Sequence, residues 1–246
     1  MTTVALFGAN GFVGKSLHAS LIKTGKYQVV PVTRDTYAEH IGRFYNIVIN
    51  SAVPAARFAA KNNPQKDFKE TVQKTADIFY GCTYDKFVQV STVSARCQLD
   101  TVYGRHKLAA ENICNTDNNL IVRLSSMFGE RLKKGVLIDI LKGQKLFIDR
   151  ESRYSFSSVD FVADYIATHL HLRGIIEVGA FNTLRMTDIA NYLHTSVECD
   201  GALDVQEIQN PDPIFPDSKE VFKFLDKIKS QFTHSIIEKS EQRKNP

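Results

Sequence analysis

The chain has 246 residues, 43% hydrophobic and 24% charged, with a formal net charge of +4. That suits one large globular domain or a domain with a small lobe. Lysine and arginine are scattered, so no basic stripe suggests nucleic acid, and no apolar run approaches the ~20 residues of a membrane-spanning helix.

The chain order alternates strand and helix patterns. Residues 4–7 read as a strand and 14–22 as a helix with Leu17 and Leu21 on one face. Residues 29–33 are a second strand, 37–44 a turn or two of helix, and 47–50 a third strand. Residues 67–79 read as helix, 87–91 as strand, 103–114 as helix and 120–124 as strand. This order implies an α/β, Rossmann-type doubly wound parallel sheet, with strands apolar on both faces.

After Ser125 the rhythm loosens. Residues 135–141 look helical and 145–148 like a short strand. A helix over 159–172 is assigned Asp160 as N-cap, 175–179 a strand, and 187–193 a helix capped by Thr187. The prolines Pro211, Pro213 and Pro216 interrupt regular structure. Residues 221–232 follow as an amphipathic helix, with Val221, Phe222, Leu225, Ile228 and Phe232 on one side. The expected organisation is one domain over 1–232, with a small C-terminal substrate-binding lobe from about 126–150 and 180–232. A polar, frayed tail is expected over 233–246.

The four cysteines, Cys82, Cys97, Cys114 and Cys199, form neither a C-x-x-C pair nor a zinc-spaced cluster. They read as reduced thiols, no metal is expected, and no basic leader precedes the first strand. The expected location is therefore cytoplasmic.

Gly8-Ala9-Asn10-Gly11-Phe12-Val13-Gly14 follows the first strand and opens a helix. Glycines permit the tight turn and let backbone approach a pyrophosphate, while the helix N-terminus offers free N–H groups and a partial positive charge. The spacing is G-x-x-G-x-x-G rather than G-x-G-x-x-G, so the turn alone is weak evidence and its placement after a strand carries the argument. At the end of the second strand, where an acid would bind the NAD ribose, stand Thr33 and Arg34. Arginine there can pair with a 2′-phosphate, so NADP(H) is favoured. The rival is Asp35 binding the ribose of NAD(H), and a solvated Arg-Asp turn is the bland alternative.

Tyr103 and Lys107 lie four apart and so share one helix face. A nearby ammonium favours the phenolate of a tyrosine that otherwise titrates near 10. Strand 87–91 ends in Ser91 and Thr92, whose hydroxyls would meet a substrate at the carboxyl end of a parallel strand. Ordinary capping of loop backbone is the competing reading of both hydroxyls.

Together these stretches resemble the extended short-chain dehydrogenase/reductase superfamily, the NAD-dependent epimerase/dehydratase family. The resemblance also rests on Asn50-Ser51-Ala52, Tyr103-Gly-Arg-His-Lys107-Leu-Ala-Ala-Glu111, Val122-Arg123-Leu124-Ser125-Ser126-Met127-Phe128-Gly129 and Ser157-Ser158-Val159-Asp160. It implies Tyr103 as general acid/base, Lys107 holding the nicotinamide ribose and lowering the Tyr103 pKa, and Thr92 as the catalytic hydroxyl. It further implies Asn10, Phe12 and Val13 at the pyrophosphate, Ala52 at the ribose and Ser126 on the nicotinamide side. The family often dimerises through the tyrosine helix, where Ala109 and Ala110 are small, although a monomer fits the sequence equally well.

Departures narrow the implied chemistry. The family's dehydratases place Asp-Glu after the catalytic Thr, and here Val93 and Ser94 stand there. The family's Asn on the fourth helix corresponds to Thr71. The usual proline after Arg123 is Leu124, and Phe161 replaces the second acid expected after Asp160. Little room remains between the second and third strands for the usual extra strand, a compactness resembling reductases of 4-keto sugar nucleotides. The expectation is an NAD(P)-dependent reductase or epimerase of a nucleotide sugar. A 4-epimerase with retained NAD and a non-catalytic NADPH-binding scaffold or redox sensor are the alternatives.

Overall fold

The computed structural model describes residues 1–230. Its first half runs β1 (Thr2–Phe7), α1 (Phe12–Lys23), β2 (Tyr27–Val32), α2 (Tyr37–His40), β3 (Phe44–Asn50), α3 (Arg57–Asn62) and α4 (Pro64–Phe68). A π-helical stretch, Lys69–Gln73, leads into α5 (Lys74–Gly81), β4 (Thr83–Thr92), α6 (Ser94–Cys97), α7 (Val102–Cys114) and β5 (Leu120–Leu124). Then come β6 (Ser126–Phe128), α8 (Val136–Leu141), β7 (Arg153–Tyr154), β8 (Phe156–Ser158), α9 (Val159–Thr168) and β9 (Gly174–Val178). Last are β10 (Leu184–Arg185), α10 (Met186–Leu193), β11 (Val205–Gln206) and a helix covering 220–230.

Six strands form an all-parallel sheet in the order β2-β1-β3-β4-β5-β9. The sheet is Rossmann-type, and its period-2 side chains divide cleanly between two cores. Val4 and Leu6 of β1, Ile47 and Ile49 of β3, and Val88 and Val90 of β4 pack with Leu17, Leu21, Val162 and Ile166. Ala5, Phe7, Val48 and Phe87 point the other way, onto Ile78 and Cys114. β2 is the edge on its side, because the ten-odd residues between β2 and β3 hold only the single turn of α2.

α1 and α9 approach closely because small Ser16 and Ser20 face them. Ser16 Oγ donates to Asp160 at 2.9 Å, and Ser20 Oγ donates to Asp164 at 2.6 Å. Asp160 is thereby engaged across the helix pair. The N-cap of α9 is Ser158, whose hydroxyl accepts from the Phe161 amide at 3.1 Å, not Asp160 as the sequence suggested.

A second apolar cluster gathers Phe128, Leu137, Ile140, Leu146, Tyr154, Phe156, Met186, Ile189, Val221 and Leu225. Two expectations are corrected here. Residues 145–148 do not form a strand; only a bridge from Leu146 to Cys199 is made, with Phe147 between them turned outward at 73% exposure. Thr187 lies inside α10 and donates to the Arg150 carbonyl at 3.2 Å, while Arg185 occupies the N-cap. The helix over 220–230 buries Val221, Leu225 and Ile228, whereas Phe232 and the expected tail lie outside the described residues. All four cysteines are free thiols. Among the described residues, no helix is long and apolar enough to cross a membrane.

Candidate active site

Strand register brings the predicted residues to one edge of the sheet. Phe7 pairs with Asn50, Asn50 with Gln89, and Leu124 with Thr92. The glycine turn, the Ser51-Ala52 loop and the Thr92 hydroxyl therefore leave the sheet side by side, at the carboxyl ends where ligands bind in open α/β sheets. Asn50 is fully buried and fixes this edge. Its amide donates to Thr75 and Gln89, and its Oδ1 accepts from the Ala52 backbone at 3.0 Å.

The turn tolerates glycine alone at two of its three positions. Gly8 has φ +81°, and a Cβ there would stand 2.7 Å from the Ala52 nitrogen. A Cβ on Gly14 would stand 2.1 Å from the Gly8 carbonyl oxygen. α1 begins with Gly11 as N-cap, without a side-chain cap and without an acid in its first turn. Its leading amides are thus free of competing carboxylates, and this cradle fits a dinucleotide pyrophosphate. Asn10 is exposed, while Phe12 and Val13 are half-buried along the same turn. Arg131, which sequence reasoning missed, donates to the Phe12 carbonyl and Ser16 Oγ at 3.3 and 3.1 Å. It adds a cation beside the first turn of α1.

At the end of β2, the Thr33 amide donates to Thr36 Oγ1 at 3.1 Å. Arg34 and Asp35 are both exposed, so neither the 2′-phosphate nor the ribose reading is blocked by burial. Arg34 makes no ion pair among the described residues, yet its charge reaches Glu70. The Glu70 carboxyl is held below its ordinary range, first by its hydrogen bond to Lys74 and then with help from Arg34.

Tyr103 and Lys107 stand on one face of α7, with Lys107 Nζ 5.2 Å from the centre of the Tyr103 ring. Thr101 caps this helix by accepting from the Gly104 amide at 3.0 Å. Gly104 is itself enforced, since a Cβ would meet the Gln98 carbonyl oxygen at 2.1 Å. Burial pushes the Tyr103 phenol up to about 12, against the lowering influence of Arg57 and of a hydrogen bond with Thr92. Burial also pushes the Lys107 ammonium down to about 7, despite Asp67 and Glu111 nearby. Desolvation thus works against the charged form of both groups.

The two strand-end hydroxyls separate. Ser91 Oγ donates to Glu111 at 2.5 Å inside the core, and Glu111 also takes the Arg123 guanidinium at 2.6 Å. Thr92 is half-buried and hydrogen-bonded only to the Ser94 amide and hydroxyl, at 3.3 and 3.4 Å, besides its link to Tyr103. Ser126 opens β6 directly beyond β5, half-buried and next to this edge.

Two neighbours, Asp67 and Arg57, had no sequence signal, and a third, Thr71, was singled out only as standing where the family has its Asn. Asp67 is buried and hydrogen-bonded to His106 Nδ1 at 2.7 Å, and its charge acts on both Tyr103 and Lys107. Thr71 sits at the centre of the π-helical stretch, fully buried, and its hydroxyl has no partner among the described residues. Such stretches often mark functional positions. Arg57, in the first turn of α3, binds Asp204 at 2.7 Å, and Tyr154 donates to the same carboxylate at 2.5 Å. A separate depression in the second apolar cluster is lined by Arg150, Met186, Asn191 and Cys199 and touches none of these groups.

No protein-family model matches this chain, and no curated protein does. Solved structures do. MoeE5 in complex with UDP-glucose and NAD aligns over 96% of this chain and 100% of its own, at TM-score 0.76 and 14% identity. The same protein is also solved with UDP-glucuronic acid and NAD, at TM-score 0.72. UDP-glucose 4-epimerase from Thermus thermophilus with NAD aligns over 85% of this chain and 90% of its own, at TM-score 0.66 and 16% identity. The dTDP-4-dehydrorhamnose reductase of Bacillus anthracis with NADP aligns over 90% and 97%, at TM-score 0.67 and 17% identity. At these identities the likeness shows a fold shared with these proteins.

Proposed function

We propose that this protein is an NAD(P)-dependent oxidoreductase that reduces or epimerises a keto or hydroxyl carbon of a nucleotide-linked sugar, with NADP(H) favoured. The observation that carries the proposal is the meeting of the glycine turn with Thr92, Tyr103 and Lys107 at one sheet edge. The structural neighbours support it, since those named above are solved with NAD or NADP, and one of them, MoeE5, with UDP-glucose and with UDP-glucuronic acid.

Gly8, Asn10, Gly11, Phe12, Val13 and Gly14 would hold the pyrophosphate, Ala52 and Lys107 the riboses, Thr33 and Arg34 the adenosine end, and Ser126 the nicotinamide side. The bound nicotinamide supplies or accepts the hydride at the sugar carbon. Tyr103, raised to about 12, enters protonated at neutral pH and is a proton donor to the oxygen that becomes a hydroxyl. Thr92 donates a hydrogen bond to that same oxygen and fixes its direction toward Tyr103. Lys107, near 7, gains charge when an anion or ribose hydroxyls approach, and then favours the phenolate left behind. Val93 is fully buried and apolar, and Ser94 is a hydroxyl, so no acid–base pair follows Thr92 to eliminate water. The cluster around Phe128, Tyr154 and Ile189 is read as the substrate lobe.

A panel of nucleotide sugars assayed for NADPH oxidation tests the proposal. Tyr103→Phe is expected to lower kcat by about 1000-fold while NADPH still raises the melting temperature. A biological activity left untouched by Tyr103→Phe supports a non-catalytic NADPH-binding scaffold instead. Turnover without consumption of added NADPH identifies the epimerase. Equal stabilisation by NADPH and NADH, unchanged in Arg34→Ala, overturns the NADP preference.

A further inference from the structure

Arg57 has no place in the motifs that led to the site. It follows the Ser51-Ala52 loop at the carboxyl end of β3, in the first turn of α3, and α3 packs against the α7 helix that carries Tyr103 and Lys107. Its partners come from the other side of the crevice. Arg57 Nη1 donates to Asp204 at 2.7 Å and to the Tyr154 hydroxyl at 3.5 Å, and the guanidinium lies 5.5 Å over the Tyr154 ring. Asp204 is itself fixed by Tyr154 at 2.5 Å, by Gln206 Nε2 at 2.9 Å and by its own amide on Ser152 Oγ. The guanidinium is therefore locked in position and orientation.

The pairing is lopsided. Asp204 keeps 9% of its side-chain exposure, whereas Arg57 keeps 36%. All protein contacts of the guanidinium use Nη1, so Nε and Nη2 have no partner among the described residues. The Asp204 charge is also divided among three donors, Arg57, Tyr154 and Gln206. A planar fork with its carboxylate partner behind it and two donors in front matches a second carboxylate edge-on. The Arg57 charge also acts on Tyr103. Because α3 packs against α7, a group held by the outer edge of Arg57 lies on the Tyr103 side of the crevice.

We propose that Arg57 is a specificity-determining residue that takes a carboxylate carried on the reacting sugar, so that the preferred substrates are nucleotide-linked uronic acids rather than neutral hexoses. This rests on the nucleotide-sugar reading above. UDP-glucuronic acid and UDP-glucose share the nucleoside diphosphate and differ at one carbon, which is a carboxylate in the first and a hydroxymethyl in the second. Comparing them isolates the contact.

Apparent dissociation constants are read by thermal-shift titration of the full chain in saturating NADPH. The wild type is expected to bind UDP-glucuronic acid at least about tenfold tighter than UDP-glucose. Arg57→Gln is expected to bring the ratio to about one, and Arg57→Lys to leave an intermediate ratio, because charge is kept and the fork is lost. NADPH stabilisation of each variant reports that the fold and the cofactor site persist. Equal binding of the two sugars by the wild type overturns the inference, as does a preference that survives in Arg57→Gln. If neither sugar binds the wild type while NADPH does, the nucleotide-sugar reading fails and this inference with it.

Discussion

The glycine turn and the Arg57 cluster are held by different kinds of force. The turn spans seven consecutive residues, and its shape is set by backbone atoms too close for a side chain, 2.1 Å at Gly14 and 2.7 Å at Gly8. The cluster joins residues 57, 154, 204 and 206, and its shape is set by the need of buried polar groups for partners. A local steric device admits almost no substitution. A long-range polar device admits substitutions that keep every donor and acceptor satisfied. The contrast also explains which half could be recognised from the chain alone.

Gly14→Ala tests the steric half most severely. In an ordinary helix this change stabilises by up to about 1 kcal/mol. Here the new methyl meets the Gly8 oxygen at 2.1 Å and the Gly8 carbonyl carbon at 2.9 Å. Both are backbone atoms of the turn, so either α1 or the turn must shift. The expected cost is about 4 kcal/mol, a fall of roughly 10 °C in melting temperature, with loss of stabilisation by NADPH. A variant that keeps both values shows the turn to be more pliable than its geometry implies.

The same contrast governs what the sequence revealed. β5 at Leu120–Leu124 and α1 with Leu17 and Leu21 on its inner face follow directly from apolar periodicity. The glycine turn, Thr92, Tyr103 and Lys107 were singled out from spacing along a single strand or helix and from the family resemblance, and the fold brings them to one sheet edge. The errors came where partners are remote. Asp160 looked like a helix cap, but Ser16 of α1 claims its carboxylate and Ser158 performs the capping. Residues 145–148 looked like a strand, but only Leu146 finds a strand-like partner, Cys199, in a distant segment. Arg57 was invisible because a lone arginine means nothing until Asp204 is folded beside it. Asp67, beside Lys107 through His106, was hidden for the same reason.

Asp204→Ala probes the polar half. It strips the partner from Arg57 and leaves the Tyr154 hydroxyl and Gln206 amide without their acceptor. Arg57 keeps contact with solvent and is spared part of the penalty of an isolated buried charge. The expected loss is about 3 kcal/mol, read as a lower urea midpoint with unchanged slope. Asp204→Asn retains an acceptor and is expected to lose less. If the two variants lose the same stability, the cluster is held by packing rather than by its polar contacts.

Lys107→Met sharpens the comparison from the opposite direction, because Lys107 is a buried cation without a dedicated carboxylate. Arg123 has Glu111 at 2.6 Å, whereas Lys107 has only a ring face and the more distant Asp67 and Glu111. Its pKa falls from 10.5 to about 7, so the unfolded chain binds the proton more tightly than the folded one. The sign follows from linkage. Folded stability rises with pH between about 7 and 10.5, and the penalty of the buried ammonium is complete below 7. Methionine fills a similar volume and carries no charge. The variant is expected to be about 2 kcal/mol more stable than the wild type at pH 6, a part of the roughly 5 kcal/mol that the full shift represents. The gain should shrink as pH rises toward 10, and catalysis should be lost at every pH. Asp67 keeps His106 and Glu111 keeps Arg123, so neither carboxylate is stranded by the change. Melting temperatures of both proteins across pH 6 to 10 decide it. A gain that does not vary with pH would assign the effect to packing, and a loss of stability would show that Lys107 is held by attraction to Asp67 after all.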